Sequence, residues 1–218
     1  DLGAESTRSG ARSVSLEEEL YRIAPVAREL AHLRIPFSVD TTKYEVAEYC
    51  LGLGAAILNS IDANEPLLLL AKQHNVPCVV MHIKGTPLTM KKEASYFDCT
   101  TEVRTYLENR IAQARSIGVD NLLIDPGFGF AKTAEHNREL LANLASFKSL
   151  GHPLLVGLSR KKTFPTLRDT LDANTIALHN GADYLRVHDA AEHRALIDAV
   201  YSFCMQSQDE SYSRNPTV

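Results

Sequence analysis

The sequence predicts an α/β fold made of parallel βαβ units, and two observations carry that prediction. Short apolar runs rich in β-branched residues alternate with amphipathic stretches of helical spacing almost to the end of the chain. Polar residues then collect just past nearly every short run, as they do where the loops at one end of a parallel sheet build a site.

The elements follow in order. The opening Asp1-Leu2-Gly3 reads as the end of a strand. A helix is expected over 16–33, with Ser15 and Glu18 as a capping box and Leu20, Ile23, Ala27 and Leu30 as its buried stripe. Pro25 is expected to kink it. Strands are expected at 36–39, 55–59, 77–81, 121–125, 153–157 and 183–187. Helices are expected between and after them at 44–53, 66–74, 101–117, 136–147, 170–180 and 191–203. Six full strands and the end of a seventh fit a doubly wound sheet, or a (β/α)8 barrel with one further strand upstream of Asp1. No internal repeat or linker is visible, so 1–205 reads as one domain and 206–218 as a polar, disordered tail.

Composition narrows the function classes. With 44% apolar and 23% charged residues, the chain can bury an ordinary globular core. A net charge of −4 with scattered cations argues against a nucleic-acid partner, and no apolar run approaches a membrane span. Cys50, Cys78, Cys99 and Cys204 form no CxxC pair and read as reduced thiols of a cytoplasmic protein.

The polar rim carries the chemistry. Its members are Glu5-Ser6-Thr7-Arg8, Asp40-Thr41, Asn59, His82, Asp125, Ser159-Arg160-Lys161 and Arg186-Val187-His188. Asp40, Asn59 and Asp125 each close an apolar strand, so their acceptors converge at the mouth of an apolar tube and suit a flat heterocycle rich in N–H donors. Arg186 and His188, two apart on a strand, point to one face, and Arg160, Lys161 and Lys162 lie in the preceding loop. Cations in the last two loops of a barrel are placed for phosphate, and arginine offers it a bidentate fork. In IDPGFGFAK (124–132), Phe128 is expected in the core and Phe130 as a wall of the ligand site. HIKGTPLTM (82–90) opens a loop long enough to be functional.

Taken in order, DLGAESTR (1–8), SVDT (38–41), Asn59, MHIKGTPLTM (81–90), IDPGFGFAK with the later EHN (135–137), LVGLSRK (155–161) and RVHD (186–189) resemble the dihydropteroate synthase family. The resemblance implies a (β/α)8 barrel, incomplete at its amino-terminus with about seven of eight strands present. It also implies condensation of 6-hydroxymethyl-7,8-dihydropterin diphosphate with p-aminobenzoate, releasing diphosphate. Carried over by position, Asp40, Asn59, Ile61, Met81, Asp125, Gly157 and Lys161 hold the pterin. Arg8, Arg186, Val187 and His188 hold the diphosphate, while Thr7, Phe130 and Lys161 line the p-aminobenzoate region. Lys161, Asp125, Arg186 and His188 are the implied catalytic set. The family uses Mg2+, but its asparagine ligand has no counterpart from Asp1 onward, so no metal ligand is expected in this chain. A homodimer is the implied assembly.

The chain departs from the family pattern at several positions. Ser9 replaces a proline, Lys162 a serine and Ala131 a glycine; Ser60 replaces an aspartate, and the segment 162–169 is short. Ser9 and Lys162 bear on p-aminobenzoate geometry and sulfonamide sensitivity. A barrel without its first strand is expected to be unstable or inactive. The alternatives are a pterin-binding methyltransferase domain, which has no use for the cations, and a paralogue that binds pterin without catalysis.

Overall fold

The computed structural model describes residues 1–213, with side chains through Phe203. Its elements run α1 (Leu16–His32), β1 (Ser38–Asp40), α2 (Tyr44–Gly52), β2 (Ile57–Ser60), α3 (Glu65–Gln73), β3 (Cys78–Met81), α4 (Cys99–Ser116), β4 (Leu122–Asp125), α5 (Ala134–Ala142), β5 (Leu155–Val156), α6 (Leu167–His179), β6 (Tyr184–Leu185) and α7 (Ala190–Ser213). The expected boundary after 205 falls inside α7, and 214–218 lie outside the described residues, as do the side chains of the expected tail.

All strand pairs are parallel. β1 to β4 lie side by side in chain order, and β5 pairs with β6. Leu2 bridges to Val39, so the opening residues do take a strand position, and Ile124 bridges to Leu154 to join the two sheets. Seven strand positions therefore follow one another in the order of the chain.

Alternation along the strands separates two apolar layers. Val39, Leu58, Cys78, Val80, Leu122, Ile124, Leu154 and Val156 face the helices and merge with Ile23, Ala27, Leu67, Leu107 and Leu140 into the main core. The opposite face carries a small separate cluster of Val79, Leu123 and Leu155, with Ile57 packed against it. This second cluster is the inside of the barrel.

Most helix starts are fixed by side-chain caps, although α2, which follows Lys43, has none. Asn64 accepts from Leu67 N–H, Asp98 from Thr101 N–H, and Thr133 and Thr166 form capping boxes with His136 and Asp169. The box expected at α1 is only half made: Ser15 accepts from Glu18 N–H at 3.2 Å, but the Glu18 carboxylate pairs with Arg22 at 2.7 Å. α1 continues through Pro25. The helix expected over 136–147 breaks at Asn143, and Leu144–Leu150 forms a 3-10 turn ended by Gly151. β6 stops at Leu185, so Arg186 and His188 follow the strand instead of lying within it.

Candidate active site

The pairing registers place the site residues without reference to any ligand. Asp40 pairs with Asn59, Asn59 with Val79 and Met81 with Asp125, so all share the inner face with Val79 and Leu123. Gly157 lies beside Arg186, whose N–H donates to Val156 O at 2.9 Å. The inner face thus sets Asp40 and Asn59 level with Val79 and Leu123, and carries Met81 and Asp125 one step further along.

The polar side chains of this face are connected. Arg186 pairs with Asp40 at 3.2 Å and with Asp1 at 2.6 Å, and the Asn59 amide donates to the same Asp1 oxygen at 3.3 Å. Asp1, which sequence reasoning did not single out, joins this group: it precedes Leu2, whose bridge to Val39 sets Asp1 level with Ser38. Burial pushes the Asp40 carboxyl up, with Arg186 opposing and Glu19 adding to the rise. Asp125 is 9% exposed and accepts from Gly127 N–H at 2.7 Å. Burial raises its pKa too, against Lys161, the Gly127 N–H, Lys132 and Arg186. Lys161 is pulled down to about 8 by burial, which Asp125 only partly offsets and Arg186 reinforces. Two carboxylates held out of water favour a ligand that brings N–H donors or positive charge.

The loop after β4 is shaped by close approach. Gly127 has φ +71°, and a Cβ there would sit 1.9 Å from His82 O. Phe128 is fully buried, as expected, and Phe130 half-buried. The Lys161 ammonium donates to Phe128 O and lies 5.1 Å from the Phe130 ring centre. Ala131 takes φ +52°, a left-handed conformation that explains a glycine at this position.

Lys132 was not anticipated. It donates to Gly127 O at 2.9 Å and Phe130 O at 3.0 Å and sits 2.8 Å from His82 Nδ1. Burial brings Lys132 to about 7 and His82 to about 3, each helped by neighbouring cations. With Lys132 protonated, Nδ1 accepts and the His82 hydrogen is on Nε2. His82, 2% exposed and edge-on to Tyr106, is therefore a support of this loop, not a rim ligand.

The cationic pole gathers past β5 and β6. His188 Nδ1 is 3.0 Å from Ser159 Oγ, and Arg160 pairs with Asp189 at 2.6 Å. The His188 pKa is lowered, first by burial and then by Arg160, Arg8 and Arg186. Three guanidinium groups therefore bear on one exposed imidazole, a field that favours an anion. Arg8 is exposed and Thr7 half-buried on the loop after Leu2; Ile61 is half-buried just past β2, and Val187 half-buried beside His188. Lys162 is exposed, and nothing in the structure explains its replacement of serine.

Among the described residues, no group of three His, Cys, Asp or Glu side chains could hold a metal ion.

Known proteins are similar to this chain in architecture and in sequence. The family model for pterin binding enzymes matches residues 1–188. Dihydropteroate synthase of Synechocystis is 43% identical over 87% of this chain and 71% of its own length, and that of Escherichia coli K12 is 41% identical over 88% and 73%. The crystal structure of the Thermus thermophilus enzyme in complex with 4-aminobenzoate aligns with TM-score 0.85 at 42% identity, covering 92% of this chain and 82% of that one. A structure of the same enzyme with 6HMPPP aligns at 0.80 and 41%, covering 85% and 79%. The Yersinia pestis enzyme in a sulfonamide complex aligns at 0.88 and 34%, covering 93% and 79%. The fold is the (β/α)8 barrel, and the chain belongs to the pterin binding enzyme family and, within it, to the dihydropteroate synthases.

Proposed function

We propose that this rim joins 6-hydroxymethyl-7,8-dihydropterin diphosphate to p-aminobenzoate. The carrying observation is the inner face that sets Asp40 and Asn59, with Asp125 one step further along, beside Arg186, with His188 and Arg8 beyond it. Acceptors for a bicyclic ring adjoin cations for its diphosphate. Ile61, Met81, Gly157 and Lys161 complete the ring's contacts in this reading, Val187 those of the diphosphate, and Thr7 and Phe130 flank the aromatic amine.

The C–O bond between the methylene and the diphosphate breaks, an N–C bond to the aniline nitrogen forms, and that nitrogen loses a proton. An aniline is a weak nucleophile, so departure of the diphosphate leads. Arg186, Arg8 and a protonated His188 take its charge, while Asp125 against the ring N–H groups favours the cation left on the pterin. Lys161, pinned over Phe130, bounds the site between the ring and the amine. Mg2+ belongs to the family's chemistry, where it would neutralise part of the diphosphate charge. A reducing cytoplasmic setting is part of the same reading, supported by the free buried thiols of Cys50, Cys78 and Cys99, as is a homodimer.

Calorimetry tests the reading: dihydropterin diphosphate binds first and p-aminobenzoate only afterwards. Asp125→Asn weakens the first step by about tenfold or more, as loss of a charged hydrogen-bond partner does. Unchanged pterin affinity in that variant, or no binding of p-aminobenzoate after the pterin, overturns it. Binding of folate with a corrinoid partner would instead mark a methyltransferase.

A further inference from the structure

The loop that carries Thr7 and Arg8 has no regular secondary structure between Glu5 and Val14, yet both of its ends meet at one carboxylate. Glu5 Oε2 accepts from Val14 N–H at 2.7 Å and from the Lys43 ammonium at 2.8 Å. Lys43 also donates to Glu19 Oε2 at 2.6 Å. Glu19, fully buried on α1, accepts through its other oxygen from Thr41 Oγ1 at 2.7 Å, and the Lys43 N–H donates to that same hydroxyl at 3.1 Å. One ammonium between two carboxylates therefore ties the neck of the loop to the residue that follows Asp40. The tip is held separately, by Gly10 N–H donating to Pro87 O at 2.9 Å.

Burying Glu19 is unfavourable unless it is paired and hydrogen-bonded, and α1 already docks through Ile23 and Ala27. What the ion pairs add is geometry: they fix where the neck sits relative to the floor of the ring pocket.

We infer that Lys43 is a positioning residue for the second substrate, holding the 5–14 loop in register with the Asp40 strand so that Thr7 meets p-aminobenzoate. This rests on the function proposed above. Lys43 touches no substrate. It acts through Glu5 on one side and through Glu19 and Thr41 on the other.

The test uses the full chain and its Lys43→Met, Lys43→Arg and Glu5→Gln variants, with two probes measured by calorimetry. The probes are 6-hydroxymethyl-dihydropterin for the ring pocket, and p-aminobenzoate added to protein saturated with 6-hydroxymethyl-dihydropterin and inorganic diphosphate, which together fill the first site without reacting. Lys43→Met is expected to weaken p-aminobenzoate by about tenfold or more, the scale of a misplacement near 1 Å. Dihydropterin affinity should stay within about twofold, since Glu19 and Thr41 keep their own bond. Lys43→Arg, which keeps a charge between the carboxylates, falls between wild type and Lys43→Met, and Glu5→Gln repeats the selective loss. Should Lys43→Met fail to fold by circular dichroism, Glu5→Gln decides alone. Unchanged p-aminobenzoate affinity in the folded variants overturns the inference, and so does an equal loss for both probes, which marks general loosening. Wild-type protein that takes the pterin diphosphate but never p-aminobenzoate overturns the functional reading itself.

Discussion

His188 shows how a single side chain can report on its ligand. Burial and the charges of Arg160, Arg8 and Arg186 hold its pKa below the ordinary value of 6.5 when the pole is empty. A bound diphosphate reverses that field and raises the pKa, so binding takes up a proton. Affinity for inorganic diphosphate should therefore rise as pH falls from about 8 toward 6, and level off once the empty site is itself protonated. The anion's own titration is removed by comparison with His188→Asn. Calorimetry in buffers of differing ionisation enthalpy should show proton uptake in the wild type and less in the variant. Equal pH profiles for the two proteins would remove His188 from the anion site. The same scale shows why some residues were legible and others not. Asp40 and Asp125 stood out because each ends an apolar run, whereas Glu19 lies in the acidic run Glu17-Glu18-Glu19 at a helix start, where sequence predicts solvated charge. Only its distance from Lys43 and Thr41 shows that it is buried with partners.

The β4–α5 loop is an element whose shape depends on one missing atom. Gly127→Ala would drive a Cβ into the backbone carbonyl of His82, and the positive φ adds strain. Neither neighbour can yield without moving β3, so the loop would lose the carbonyls that hold Lys132 and Lys161. Gly127→Ala is expected to lower thermal stability by more than about 2 kcal/mol and to abolish pterin binding. A variant with wild-type melting temperature and pterin affinity would refute this account of the loop. Strands and helices fell within a few residues of expectation because the period-2 and 3.6-residue patterns mark them and side-chain caps fix most helix starts. The break at Asn143 was illegible for a physical reason. Leu140, Leu141, Leu144 and Phe147 are all buried, and their spacing reads the same whether the last turn is α or 3-10. Loop tethers such as Gly10 to Pro87 join segments far apart in sequence, so no local pattern announces them.

At the scale of the molecule, two apolar clusters of unequal size lie on the two faces of the same strands. Leu123→Ala removes a side chain from the small inner cluster, next to Val79 and Leu155, where few neighbours can collapse inward. A loss of about 2–5 kcal/mol is expected from denaturant unfolding. Pterin affinity should fall with it, because Leu123 stands two residues below Asp125 on the same face. A cost near zero would show that the inner cluster is not packed as described.

That two-residue step has an evolutionary corollary. Exchanging the last inward side chain of a strand alters what the cup recognises while leaving the helical shell untouched. Inserting or deleting one residue in that strand instead turns its terminal group out toward the helices and presents a greasy one to the ligand. Divergence of this site should therefore proceed by substitution at strand ends and by length change in the loops, with strand length itself held constant.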